Sequence, residues 1–525
     1  MPGSGSRSRA VAIPPAPTSS RVRPTRPVFR DHTHRPAGRV DHGVPARHAE
    51  DTPTEIHDQP HLPAVGRGRY RTGVAGTHAA AVAALREQFA ALPPDAPVRL
   101  GKRTSNLFRF RPPATGPRLD AAPFDRVLAV DPVARTAEVE GMVTYERLVE
   151  ATLRHGLMPL VVPQLKTITL GGAVSGLGIE SSSFRSGLPH ESVLEMEILS
   201  GDGRVVLARP DGEHADLFGT FPNSYGTLGY ALRLTIELEP VSPYVRLRHL
   251  RFGGAAEGCA AIAAICAAGE HAGQRVDFLD GTVFGPDELY LTLGTFVDAA
   301  PEVSDYTGMG IYYRSLRERE VDYLTVADYL WRWDTDWFWC SRAFGVQHPA
   351  VRRVWPRRWR RSDVYRRIVA LDRRWRLSAR LDRLRGRPEQ EAVVQDVEVP
   401  VERTAEFLDF FHSEVGITPV WLCPLRLRAA HSWPLYPLDP GELYVNVGFW
   451  SGVPLPPGAS DGFHNRRIEH VVNELGGHKS LYSTVHYPED EFWRRYNGAA
   501  YATVKQSYDP DARLPDLYDK CVRLT

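Results

Sequence analysis

The stretch TLGGAVSGLGIESSSFRSG, Thr169 to Gly187, places five glycines and five serines in nineteen residues. Glycine at that density weakens any regular element, because it carries backbone freedom that folding must remove. Its use lies where another group comes close to the main chain. Without Cβ atoms, successive N–H groups can approach an anion such as a diphosphate, and serine hydroxyls add neutral donors. Tight turns between packed strands also use glycine, so composition leaves both uses open. Two nucleotide motifs fail here. Gly171 and Gly176 have P-loop spacing, but Leu177 and Gly178 stand where a lysine and a hydroxyl are required. Gly176 and Gly178 begin a G-x-G, but Ser181 replaces the third glycine of the dinucleotide fingerprint.

The rest of the chain narrows the class. Its 525 residues, 42% hydrophobic, suit two or three domains with sizeable cores. Sixty-four basic residues against sixty-three acidic ones give no global field towards nucleic acid, and no base-reading module is visible. The five cysteines are scattered without metal-ligand spacing, which predicts a reduced, cytoplasmic compartment and no metal site. No apolar run approaches the roughly 20 residues of a spanning helix, and AAEGCAAIAAICAAG (Ala255 to Gly269) reads as a packed soluble helix. The first residues lack the charged head and apolar block of a signal peptide.

Residues 1–71, rich in Pro, Arg, Ser and His, read as disordered, their histidines too irregular for a metal tract. From Gly76 helical and alternating patterns mix without strict βαβ order, which predicts an α+β fold. A helix is expected from about Thr144 to Arg154. SVLEMEILSGDGRVVLA reads as a hairpin around Asp202 and Gly203, and GTLGYALRLTIELEPV as a strand ending at Pro240. A boundary near Val241 separates residues 72–240 from a second α+β domain, 241–525, with strands DELYLTLGTFV and ELYVNVGFW. No internal repeat stands out.

LKTITLGGAVSGLGIESSSFRSGLPHESV, DGRVV and DLFGTFPNSYGTLGYALRLTIELEPVSPYVRLR resemble the FAD-binding PCMH-type domain of the vanillyl-alcohol oxidase superfamily. Within it the chain most resembles the Δ24-sterol reductase (Diminuto/Dwarf1-like) family, through PVWLCPLRLR, ELYVNVGFW, EFWRRYNGAAYATVK and LPDLYDK as well. The resemblance spans roughly Gly76 to the C-terminus. It implies a PCMH-type domain of two α+β subdomains followed by an α+β substrate or cap domain. It implies an FAD-dependent oxidoreductase that saturates an isolated C=C bond in a sterol or isoprenoid side chain, with NADPH as electron donor. Thr169, Leu170, Gly171, Gly172, Ala173, Val174, Ser175, Gly176, Leu177, Gly178, Ile179, Glu180 and Ser181 would wrap the FAD pyrophosphate. Ser224, Gly226, Thr227 and Gly229 would form a second backbone approach. GKRTSN (Gly101 to Asn106) lies where several superfamily members carry a flavin-bonded histidine and contains none, so FAD is expected to be non-covalent.

An isolated alkene is not polarised by a carbonyl, so hydride delivery must be matched by a proton from an acid. The candidates are His486 and Tyr482 in LYSTVHYPEDEFW, Tyr444 in ELYVNVGFW, and Glu180. The segment 329–387 adds a second feature. YLWRWDTDWFWC holds four tryptophans, and Arg352 to Arg387 holds fifteen arginines against three aspartates. That composition suits peripheral contact with anionic lipid, and equally a solvated helix paired with acids elsewhere. Two other functions stay open: an oxidase of a small alcohol or sugar using O2, and a non-catalytic lipid-binding protein on the same fold.

Overall fold

Alternating apolar residues around Asp202 and Gly203 form the expected hairpin, Val193–Leu199 against Val205–Ala208. Gly203 takes φ +85, and the Asp202 carboxylate accepts from Ser200 Oγ and from Arg204 N at 3.1 Å, which closes the turn. The computed structural model describes residues 77–102, 108–109, 117–375, 380, 386 and 388–522. The expectation for 1–71 and most of the GKRTSN loop lie outside them.

The hairpin belongs to a six-stranded antiparallel sheet. Tyr230–Pro240 is flanked by Thr136–Glu140 and Val193–Leu199, Val127–Asp131 and Val205–Ala208 are the outer strands, and Leu157–Pro159 pairs with the end of Tyr230–Pro240. The helix expected near Thr144 spans Tyr145–Leu153, with Thr144 as its N-cap residue. Mixed helices and antiparallel strands make this the α+β, PCMH-type fold that the sequence implied.

After Pro243 the strands join a second sheet of eight, all antiparallel. It contains a duplication. Strand Tyr244–Phe252, helix Ala255–Ala268 and strands Phe278–Gly285 and Glu288–Val297 form one strand-helix-strand-strand unit. Gln390–Pro400, Val401–Glu414, Val420–Leu425 and Tyr444–Pro454 form another. The units meet where Phe278–Gly285 pairs with Val420–Leu425, and the strand order runs outward as mirror sequences from that seam. The sequence hides this repeat because one helix is alanine-rich and the other carries Phe407, Phe410 and Phe411, and some ninety residues separate the units.

Both helices, with Phe463–Glu474, cover one face of this sheet, packed on Val393, Val397, Leu422 and Val447. Alternation therefore sends Trp421, Trp450, Asp396 and Asp280 to the other face. That face joins the core of the first sheet and its glycine-rich layer. The C-terminal tail crosses back: Lys505 Nζ donates to Thr227 O at 2.9 Å, Tyr508 Oη to Asp216 at 2.9 Å, and Val98 N to Arg513 O at 2.8 Å.

Candidate active site

Thr169 caps the short helix Leu170–Ser175, its Oγ1 accepting from Gly172 N at 3.2 Å. The N–H groups of Leu170, Gly171 and Ala173 donate to Val143, Gly141 and Thr169 carbonyls. The amides at the start of the stretch are thus consumed inside the fold. Gly171 serves close packing, since a Cβ there would stand 2.8 Å from the Gly141 carbonyl oxygen. At Gly178 a Cβ would meet the Pro163 ring at 2.9 Å and the Pro189 ring at 3.0 Å. The open amides come later: among the described residues no hydrogen bond engages the N–H of Leu177, Gly178 or Ile179.

Those three residues line a cleft that opens to solvent. Thr169, Gly172, Ala173, Ser175 and Gly176 line it with them, as do Lys102 and Thr167, whose buried hydroxyl has no partner among the described residues. Leu170, Gly171, Val174, Glu180 and Ser181 stand behind the lining. Ser224, Gly226, Thr227 and Gly229 do not reach the cleft, although Tyr225 between them does. They brace it instead: Tyr225 N donates to Ser175 O and Asn223 N to Gly176 O, while Lys505 and Lys520 hold the Thr227 and Tyr225 carbonyls.

Phe108, Pro163, Gln164, Leu165 and Ile168 add to the lining before the glycine stretch, and Trp337, Phe338, Asp396, Trp421, Trp450, Ser480 and Tyr482 complete it from the second half of the chain. Tyr482 accepts from Trp450 Nε1 at 2.9 Å, and the Asp396 carboxyl lines the same cleft close enough to act on the phenol's charge. Burial pushes Asp396 up to about 7, against the opposing pull of its hydrogen bonds and of Lys479. Burial likewise holds the Tyr482 phenol well above its ordinary value, so it is neutral at physiological pH. Asp396 pairs across the sheet with Gly448, whose missing side chain leaves the space the carboxyl fills. Behind it, the buried Lys479 pairs with Glu469 at 3.2 Å, and Glu398, raised to about 8 by burial, bonds Tyr436 and Ser480.

The other acid candidates sit elsewhere. His486 is outside the lining, its N–H bonded to Glu469 at 3.1 Å, and burial lowers its imidazole to about 4. It is neutral at pH 7 and a poor acid. Tyr444 is buried, its hydroxyl accepting from Asp439 N at 3.2 Å. Glu180 meets Arg332 at 3.0 Å and Ser181 at 2.5 Å. Arg332 also pairs with Asp280 at 2.9 Å, and Asp280 accepts from Trp333 and Trp421 indoles at 3.0 and 3.2 Å. This buried cluster ties the glycine stretch to the second sheet.

Asp396 was missed from sequence. In QEAVVQDVEVP polar residues mix with valines, which reads as a solvated face, yet Asp396 on that face is half-buried and looks into the cleft. The tryptophan stretch was misread in part. Trp333, Trp337 and Trp339 are 1%, 7% and 3% exposed, so YLWRWDTDWFWC is core and cleft wall and not a lipid-contact surface. Arg352 is buried too, clamped on Asp336 at 2.7 and 3.0 Å and on the Gly308 and Gly310 carbonyls.

The open amides of Leu177 to Ile179, the unpartnered Thr167 hydroxyl and the side-chain-free surface of Gly172 are a donor set that fits a dinucleotide pyrophosphate. The comparison with family models agrees: residues 94–209 match the FAD binding domain. That match and the fold give residues 94–209 as an FAD-binding domain of the PCMH type, and the family model and relatives together indicate an FAD-dependent oxidoreductase. Its similarity to known proteins is more specific. It is 27% identical to the human Delta(24)-sterol reductase over 415 residues, 75% of each chain. It is 26% identical to the Arabidopsis thaliana Delta(24)-sterol reductase over 445 residues, 77% of this chain and 76% of the relative. Over 123 residues it is 33% identical to the Decaprenylphosphoryl-beta-D-ribose oxidase of Mycolicibacterium smegmatis, 23% of this chain and 26% of that one.

Proposed function

We propose that the protein reduces an isolated C=C bond in a sterol or other isoprenoid lipid, with non-covalent FAD and NADPH as electron donor. The observation that carries this reading is Tyr482 backed by Asp396 on the cleft lining, an acid pair among aromatic walls. FAD, when bound and reduced, supplies the hydride. Leu177, Gly178 and Ile179 would hold its pyrophosphate by their main-chain amides, and Thr167 would add a hydroxyl. Trp337, Phe338, Trp421 and Trp450 exclude water and receive the apolar chain. Asp396, its carboxyl held protonated to higher pH by burial, donates to the Tyr482 oxygen and so releases the phenol proton towards the less substituted alkene carbon. Positive charge then builds on the more substituted carbon, where hydride delivery quenches it.

A lipid substrate must also be collected. The helix Ser362–Trp375 carries Arg367, Leu371 and Trp375 at four-residue spacing, one exposed stripe, with Trp359 exposed nearby in sequence. Arg366 of that helix lies over the ring of Phe108, which lines the cleft. This stripe supports peripheral contact with an anionic lipid surface beside the site. No helix among the described residues is long and apolar enough to cross a membrane.

A second reading, oxidation of an alcohol or sugar with O2, draws on the similarity over 123 residues to the ribose oxidase. One experiment separates the two. The purified protein is reduced anaerobically with NADPH, then offered desmosterol, geranylgeraniol and O2 in turn. Reoxidation by either alkene supports the reductase. Reoxidation by O2 alone refutes it.

A further inference from the structure

Trp337 and Phe338 are consecutive residues with φ of +47 and +58. For bulky side chains that region is disfavoured, because Cβ crowds the following carbonyl oxygen. Strain of this kind persists only where the surroundings over-determine it, and it gathers at ligand walls. Here the surroundings are explicit. Asp336, the preceding residue, is locked by Arg352 and by Ser341 Oγ at 2.7 Å. Phe338 N donates to Trp333 O at 2.8 Å and Cys340 N to Trp337 O at 3.0 Å, so the turn is closed on both sides.

The two rings then occupy places that a relaxed backbone would not give them. Trp337 stacks on Phe108 with centroids 5.6 Å apart and planes 24° apart. Phe338 stacks on Trp333 at 4.8 Å and meets Trp450 at 4.5 Å and Trp421 at 5.4 Å. Both line the cleft. The indoles of Trp450 and Trp421, both in the lining, already donate to Tyr482 and Asp280, so these two rings spend their N–H groups within the protein. Against these rings a substrate hydroxyl would lose its water without replacement, whereas an apolar chain loses nothing; the polar groups of this side are Asp396, Ser480 and Tyr482.

We propose that Trp337 and Phe338 are specificity-determining residues, a pre-strained aromatic wall that admits an apolar isoprenoid chain and rejects hydroxyl-rich substrates. The inference rests on the reductase reading for the identity of the site, but its test does not require turnover. The full chain loaded with FAD is titrated with desmosterol, geranylgeraniol and glucose, and binding is read from the oxidised flavin spectrum. Wild type binds the two apolar probes and not glucose. Trp337→Leu and Phe338→Leu each weaken both apolar probes by roughly tenfold or more, at unchanged flavin content, and Trp337→Phe weakens them less.

Three results overturn the proposal: apolar probes that fail to bind wild type, variants that bind them as wild type does, or variants that lose flavin together with probe binding. The last would make the pair structural. If the probes bind as expected but never reoxidise reduced flavin, the wall stands and the reductase reading falls.

Discussion

The two sides of the cleft are built on opposite plans. The glycine side depends on close approach: Gly171, Gly176 and Gly178 bring the chain against backbone, the Tyr225 ring and proline rings where a Cβ would not fit. The cap side is crowded with Trp337, Phe338, Trp421, Trp450 and Tyr482, held by buried charges at Arg332, Asp280 and Arg352. One side therefore fails when atoms are added and the other when atoms are removed. A cofactor gripped through amides needs the first plan, and an apolar substrate met by an acid needs the second.

The largest effect is expected at the junction of the two. Arg332→Met leaves Glu180 and Asp280 buried without their cation and should cost about 3 to 5 kcal/mol, read as a fall in urea midpoint. Gly171→Val drives a side chain into the Gly141 carbonyl and should cost roughly 3 kcal/mol, with flavin lost in proportion. If it is tolerated with full flavin, the glycine side is not close-packed as described.

Asp396→Asn separates stability from catalysis. A carboxyl raised by burial keeps its proton in the folded state to higher pH, so folding loses stability as pH rises between about 4 and 7. Removing the charge should raise stability above pH 7 by up to roughly 4 kcal/mol, while alkene reduction falls and loses its decline above pH 7. A variant that is less stable at pH 8 would break this assignment. The smallest effect is expected for Trp375→Ala on the exposed stripe, within roughly 0.5 kcal/mol in solution but with weaker binding to anionic vesicles.

These differences mark what the sequence could and could not disclose. The hairpin at Gly203, the helix after Thr144 and the glycine stretch were legible because turn chemistry, capping and periodicity act over a few residues. The role of each glycine was not, since Gly171 answers to Gly141 and Gly178 to Pro163 and Pro189, contacts that only the tertiary fold creates. Asp396 stayed hidden because an alternating strand cannot reveal that its polar face turns into a cleft between two sheets. Trp333 and Trp375 sit in the same Trp/Arg-rich composition, yet one is 1% exposed and the other 56%. Buried partners such as Asp280 and Asp336 decide between those fates, and they lie on other elements or reach across a strained turn.

The division of labour is tested most directly by Tyr482→Phe, which keeps the ring and removes the proton. Anaerobically reduced variant is mixed with desmosterol and flavin reoxidation is followed by stopped flow. The account predicts full flavin content and reoxidation roughly 100-fold slower than wild type. Reoxidation at the wild-type rate would contradict it.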